Sequence, residues 1–449
     1  MPITNSYAYV PPSVIIDAPQ DLTGVTTYVE PSTVAIVARV DSYPTRTMSR
    51  VLGNGATAVI SAPNVIMESI KLKDYSGKDL KKDTDYTQTQ DEEAQTFSIK
   101  VINPEIKTQS ILISYEYLPD DFFEPLKFFT INSVAEYYGA AYNDDYTINS
   151  PITAAARFVF ANGGVSVCVV PVYDKEEDDS ENPKQTIEQA LDKLRLHQDI
   201  AILVPVAFTS EELMDAREHI IWCCGHQLER RGIFALDGTT TTYTIDDLCA
   251  VAGSMDSEQI MFIPNNIASI YVSETRRSQN LPGWLYAAAA AGVAIAAPYY
   301  RSLTRLTLSG FYGVQAFLYE EKNRLATAGC SVIEMQNGVI RFRHSVVTRQ
   351  SMMLDWSYAG IYNYICGALR TLLDVYIGQP SSDTLLTEIY GTVNLFLTQQ
   401  VESGGIYAFD SLEVSRRANN PEVIDVSFRV AFLRPALWIV VTFDVDLTY

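Results

Sequence analysis

The stretch FVFANGGVSVCVV, residues 158–170, decides the fold class of this chain. Residues 165–172 form an apolar run with the composition of a buried strand. Asn162-Gly163-Gly164 stands directly before that run, and it permits the left-handed backbone that reverses a helix sharply into a strand. A helix, a tight reversal and a buried strand are therefore predicted here.

Alternation of strand and helix continues from this point to about residue 350. Further buried strands are predicted at 200–206, 233–236 and 260–263. The first helix between them carries Ile187, Leu191 and Leu194 on one face. The second is predicted to start at Ser210 and to end in a basic last turn with a terminal glycine, Arg230-Arg231-Gly232. This order indicates a layered α/β core.

Residues 46–122 have a different texture, with short β-type runs separated by turn clusters rich in lysine and threonine. Their pattern is typical of an inserted, β-sandwich-like outer domain. The core domain is then residues 23–45 plus 123–350. Residues 351–449 form an α+β assembly domain with helices at 356–377 and from Asp383, then β runs at 407–414, 423–433 and 437–445. The fold class is thus multidomain α+β and α/β.

The first 22 residues are predicted to be an extended arm, because Pro2, Pro11, Pro12 and Pro19 forbid a helix. Between these prolines lies a β-prone run, Val14-Ile15-Ile16. It is suited to pairing with the sheet edge of another chain, and equally to being the first strand of the chain's own sheet.

The net charge of −21 disfavours nucleic acid and anionic lipid as partners. The most apolar stretch, residues 284–297, is too short to span a membrane, so no membrane insertion is expected. The N-terminus lacks a secretory pattern, and six cysteines without paired spacing are typical of free thiols in a reducing compartment.

Motifs for catalysis or for a cofactor were not found in the sequence. It has no nucleotide-binding glycine pattern, nucleophile elbow or metalloprotease motif. His219, Cys223 and His226 share one helix face and could bind a soft metal, but a fourth ligand is not evident, and core packing explains them better. No catalytic, cofactor or metal residue is therefore assigned, and the protein is not expected to be an enzyme. The alternative is a soluble α/β enzyme with a β accessory domain.

Two basic pairs stand out in this acidic chain. Arg276-Arg277 and Arg416-Arg417 are read either as solvated ends or as partners in salt bridges between subunits.

The order of segments resembles the contractile tail sheath family over nearly the whole chain except residues 46–121. The segments that carry the resemblance are INSVAEYYG (131–139), NSP followed by the FVFANGG turn (149–164), LPGW with its alanine-rich helix (281–297), AGCSVI with GVIR (328–341) and RPALWIV (434–440). Cys330 and Ser331 depart from the residues usual in that family's hairpin.

The resemblance implies a structural subunit that forms stacked hexameric rings around an inner tube and contracts to drive that tube through a target envelope. It implies neighbouring sheath subunits, the tail tube, baseplate and tail terminator proteins as partners. It also implies a place in the virion tail after assembly in the bacterial host cytoplasm. Contacts between subunits are expected at Val14, Ile15, Ile16, Leu437, Trp438, Ile439, Val440 and Val441. Glu388 is expected to face the tube.

Overall fold

The computed structural model describes residues 28–41, 45–52, 57–61, 65–91, 96–106, 110–174, 184–272, 277–349 and 354–437. The strands are β1 (Thr33–Arg39), β2 (Arg46–Leu52), β3 (Thr57–Ser61), β4 (Lys71–Lys73), β5 (Tyr86–Asp91), β6 (Thr96–Val101), β7 (Ile111–Tyr117), β8 (Leu126–Phe128), β9 (Ser166–Val172), β10 (Ile200–Val206), β11 (Arg231–Ala235), β12 (Ile260–Ile263), β13 (Ile267–Val272), β14 (Arg277–Pro282), β15 (Gly313–Val314), β16 (Ile333–Gln336), β17 (Val339–Phe342), β18 (Ala408–Arg417) and β19 (Asn420–Ala431). The helices are α1 (Ile131–Tyr138), α2 (Pro151–Ala161), α3 (Ile187–Leu194), α4 (Glu212–Gly225), α5 (Ile245–Met255), α6 (Trp284–Ala296), α7 (Tyr319–Thr327), α8 (Trp356–Asp374) and α9 (Asp383–Ser403).

A six-stranded sheet in the order β12-β11-β10-β1-β9-β8 forms the core. Its strands are parallel except β8, which runs antiparallel to β9. Val34, Ile36 and their neighbours in β1 are fully buried because helices cover both faces. Helices α2 and α6 pack on one face, and α3, α4 and α5 pack on the other. The chain is thus a mixed α/β protein, as the sequence predicted.

The reversal at Asn162-Gly163-Gly164 is built as predicted, since Gly163 has a φ of +101°. Packing also requires these glycines. A Cβ on Gly163 would lie 2.7 Å from the Cβ of Ala296 in α6, and one on Gly164 would lie 2.4 Å from Val159 in α2. The same glycines therefore turn the chain and let α2 approach α6.

The second core helix was predicted with wrong ends. Helix α4 starts at Glu212, where the Thr209 hydroxyl accepts the Glu212 backbone N–H at 3.3 Å and the Glu212 carboxylate accepts that of Thr209 at 2.8 Å. It ends at Gly225, well before the basic pair. Arg230 is fully buried, and Arg231 opens β11. The chain reverses at Gln227 and Glu229, which have positive φ, so the two arginines enter the sheet layer.

Residues 46–122 contain two three-stranded antiparallel sheets, β2-β7-β4 and β3-β6-β5. They enclose a hydrophobic cluster in which Phe97 contacts Tyr115 edge to face at 5.1 Å between ring centroids. Three of the four short β-type runs expected in this segment are strands β3, β6 and β7. The fourth, expected at 66–72, instead contains a 3-10 helix (Met67–Ser69) before β4. That this segment is a separate outer domain stays a prediction.

Candidate assembly surface

The C-terminal segment ends, within the described residues, in a long β-hairpin of β18 and β19. One face of the hairpin packs on α8 and α9 through half-buried side chains, which include Phe409, Val414, Val426 and Phe428. Ser411 has a φ of +57°, and the strand register shifts between Asp410 and Glu413. A β-bulge therefore interrupts β18, whereas β19 has twelve residues.

Both outer edges of this hairpin lack a partner strand among the described residues, because the sheet there consists of β18 and β19 alone. A two-stranded sheet is marginal by itself, and an open edge presents a row of unpaired N–H and C=O groups. The hairpin is thus geometrically able to accept an added strand at either edge.

The residues predicted to supply such strands fall mostly outside the described part of the chain. This applies to Val14, Ile15 and Ile16 and to Trp438, Ile439, Val440 and Val441. Leu437 is described; it is half-buried and lies beyond β19, in no strand. The predicted contacts at these positions therefore stay predictions.

The basic pair Arg416-Arg417 binds within the subunit. The Arg416 guanidinium lies 2.8 Å from the Asp383 carboxylate and donates to the Ser381 carbonyl at 3.0 Å, which ties the hairpin to the start of α9. Arg417 pairs with Asp425 at 2.6 Å. Both ion pairs join at least partly exposed side chains of one subunit, and salt bridges between subunits at this pair stay a prediction. Arg276, like the side chain of Arg277, falls outside the described residues.

Helix α9 buries one face and exposes the other. Its buried face carries Leu385, Ile389, Val393 and Phe396. Glu388 lies on the exposed face, beside Gly391 and Leu395, which is 57% exposed. The tube-facing role expected of Glu388 stays a prediction.

One stripe of α8 contacts the core along its whole length: Trp356, Gly360, Asn363, Gly367 and Arg370. The Arg231 guanidinium lies 4.4 Å above the Trp356 ring. A Cβ on Gly360 would lie 2.2 Å from the Tyr299 carbonyl oxygen.

The C-terminal half of the same stripe is polar. The Asn363 side chain donates to the Glu229 carbonyl at 3.0 Å and exchanges amide hydrogen bonds of 3.0 Å with Gln259. Arg370 binds the Glu229 carboxylate through two nitrogens, at 2.9 and 2.5 Å. Helix α8 is therefore fixed to the core by shape and by charge.

The α8 stripe was not predicted from the sequence. Its signal was present, because Gly360 and Gly367 stand seven residues apart on one helix face. Glycine in a helix interior costs about 0.5–1 kcal/mol relative to alanine, so such a pair indicates a close approach by another segment.

The candidate metal residues do not converge. His219 Nε2 lies 3.4 Å from Cys223 Sγ and 3.1 Å from the Arg230 guanidinium, and burial beside that cation lowers the pKa of His219 to about 3. His226 stacks instead on the Trp222 ring at 3.9 Å. No group of three potential metal ligands occurs in the described ranges, which agrees with core packing.

At the carboxyl edge of the sheet, where α/β enzymes bind their ligands, charged side chains pair with one another. Arg39, the last residue of β1, binds both the Asp174 and the Glu212 carboxylates there. Buried Asp355 accepts from three hydroxyls, those of Ser302, Ser345 and Ser357, at 2.7–2.8 Å. These polar groups hold separate segments of the subunit together.

Comparison with family models found no match to the chain, whereas comparison with individual proteins did. It is 26% identical over 346 residues to the tail sheath protein of Mycobacterium phage Bxz1. That match covers 75% of this chain but 58% of the relative, so the chain spans little more than half of the relative's length.

Solved structures share the fold. A chain of the contracted helical sheath of the anti-feeding prophage and a chain of its baseplate structure each align with a TM-score of 0.60 and 12% identity, over 98% of this chain and all of theirs. The contracted sheath of an extracellular contractile injection system (PVC) aligns with a TM-score of 0.57 and 11% identity, over 99% of each chain. The resemblance inferred from the residues is thereby confirmed. In the described ranges no helix combines the length and apolarity needed to cross a bilayer.

Proposed function

We propose that this chain, which resembles the contractile tail sheath proteins in sequence and in fold, is the sheath subunit of a contractile tail or related injection system. Its subunits form hexameric rings that stack around an inner tube and shorten to drive the tube through a target envelope. The role is structural and non-enzymatic. Its place is the virion tail, after assembly in the host cytoplasm.

The observation that carries this proposal is the β18–β19 hairpin, an amphipathic two-stranded sheet with two open edges. A subunit that receives the Val14–Ile16 arm of one neighbour and the C-terminal strand of another would complete the sheet. Each backbone hydrogen bond contributes about 1 kcal/mol net, but ties to several neighbours make the lattice durable.

This role requires first that the subunits bind one another. A chain of similar fold was solved within a baseplate assembly, which supports the baseplate as a second partner. The tube and the tail terminator complete the proposed set. Contraction needs no nucleotide under this proposal, because energy stored at assembly is released in new contacts between subunits that move as rigid bodies.

Electron microscopy of the purified protein at high concentration tests the proposal. Rods or sleeves of stacked rings are expected. A monomer that stays dispersed as single particles, with and without a tube protein, would contradict it.

Excision of residues 46–121, with 45 joined to 122 through a short Gly-Ser linker, is expected to leave a soluble subunit that still forms sleeves. The segment has its own hydrophobic cluster, and it touches the core at Arg46, whose guanidinium lies 3.7 Å from the Tyr137 ring centroid. Circular dichroism and electron microscopy measure folding and assembly. Failure of the remainder to fold would show that the segment is integral to the core.

The Glu388→Lys variant is expected to bind the tube more weakly, with a loss that depends on salt, because charge reversal on the exposed face of α9 disturbs a complementary surface. Co-sedimentation with tube protein at low and high ionic strength measures it. Glu136→Lys makes the same change on the exposed side of α1 and serves as the control. Equal co-sedimentation of both variants with the tube would refute the tube-facing role.

A further inference from the structure

The first described residues of the chain lie across α8. The Tyr28 ring meets Tyr364 edge to face at 5.5 Å, and Tyr364 stacks on Tyr299 at 3.9 Å with an interplanar angle of 4°. Val29, the next residue, is 85% exposed. Tyr28 thus packs against the Tyr364 ring, while Val29 beside it faces solvent.

Gly367 makes this packing possible. A Cβ built on Gly367 would lie 2.3 Å from the Tyr28 hydroxyl oxygen and 2.5–2.8 Å from its ring atoms. Any larger residue at this place in α8 would displace the Tyr28 side chain. Since helix-interior glycine is intrinsically unfavourable, this contact is a physical reason for its presence.

A charge interaction follows two residues later. Burial lowers the pKa of the Arg231 guanidinium to about 10, and the charge of Glu30 opposes that lowering. Burial raises the pKa of the Glu30 carboxyl in turn, although Glu30 as a residue is exposed.

We propose that Tyr28 anchors the root of the N-terminal arm on α8, so that the span over which the arm can reach a neighbour ends at Tyr28 and not at the start of β1. This inference rests on the proposed function. Thr33 begins β1 and is itself fixed, with hydrogen bonds to Ser166 at 2.9 Å and Asp199 at 3.0 Å.

The anchor limits the distance that the N-terminal arm can span between subunits. From Ile16 to Tyr28 there are 28 − 16 = 12 Cα–Cα steps, which span at most about 40 Å when fully extended. The sheet that accepts Ile16 must therefore lie within about 40 Å of the donor's Tyr28 in every state of the sheath. Without the anchor, five further residues, 28 to 32, would join the span.

Gly367→Ala tests the anchor in the unassembled subunit, with Gly391→Ala as the matched control. Both place alanine inside a helix, but a Cβ on Gly391 in α9 meets nothing within 4 Å. Nitration of the Tyr28 ring by tetranitromethane, measured by peptide mass spectrometry, is expected to be at least tenfold faster in Gly367→Ala than in Gly391→Ala, because burial raises the pKa of the Tyr28 phenol and displacement of the ring would expose it. Equal nitration of Tyr28 in the two variants would overturn the anchor, whether or not the protein forms sleeves.

Deletions within residues 17–27 test the mechanical consequence. Progressive shortening will reach a length at which sleeves no longer form. In a Gly367→Ala background the longest tolerated deletion is expected to grow by up to five residues, because residues 28–32 then become part of the span. The same limit in the Gly367→Ala and Gly391→Ala backgrounds would refute the proposal that the span ends at Tyr28. Absence of sleeves in the unmodified protein would refute the proposed function instead and leave the nitration result valid.

Discussion

Deletion of residues 1–20 is expected to give a folded subunit, with unchanged circular dichroism and a cooperative melt, that no longer forms sleeves. The reason is that the open β18–β19 hairpin would lose its proposed partner strand while the layered core stays intact. Sedimentation and electron microscopy measure assembly. The expected loss is complete, because each missing arm removes a tie from every subunit of the lattice.

Ile15→Pro is the companion variant, since it keeps the length of the arm but removes one backbone donor in its β-prone run. It should also prevent sleeves, whereas Asn5→Pro, outside that run, should not. Normal polymerisation of the truncated protein would disprove the arm hypothesis. Unfolding of the truncated protein would mean that Val14–Ile16 is an internal strand of the subunit.

Replacement of Trp356 by alanine is expected to lower the free energy of unfolding by about 3–5 kcal/mol. Trp356 is 1% exposed at the start of α8, and the buried Arg231 guanidinium lies above its ring. The variant would leave a cavity and also remove the ring that faces a buried cation. Urea unfolding, followed by circular dichroism, measures the loss.

Trp356→Phe is the control, because it keeps an aromatic face beneath Arg231 and should recover much of the stability. A loss below about 1 kcal/mol in Trp356→Ala would show that the junction between α8 and the core contributes little. A similar loss in both variants would mean that the indole volume, and not the cation–ring contact, is what matters.

The core strands were predictable because a parallel strand covered on both faces is a continuous apolar run. Residues 200–206 and 260–263 were found with the bounds of β10 and β12. Strand β5 has the sequence YTQTQD and was missed, since its polar residues gave no periodic signal, and its place comes from pairing with β6.

The candidate surface was predictable only in part. The hairpin was expected at 407–414 and 423–433, and β18 runs on to Arg417, where Arg416 and Arg417 find Asp383 and Asp425. The α8 stripe depends on partners distant in sequence: Asn363 meets Gln259, and Gly360 meets Tyr299. Local pattern contains no information on such contacts, so only the spacing of the two glycines hinted at them.

The bulge at Ser411 has a consequence for solubility. An unbroken ten-residue edge would pair with any extended chain in any register, and at the protein concentrations that a high-copy assembly requires it would seed amyloid-like stacking. The register shift between Asp410 and Glu413 bends β18 and divides that edge into two short halves. A strand that does not match the bulge can then form few consecutive hydrogen bonds with β18, so the kink is expected to limit unselected pairing at this edge of the isolated subunit.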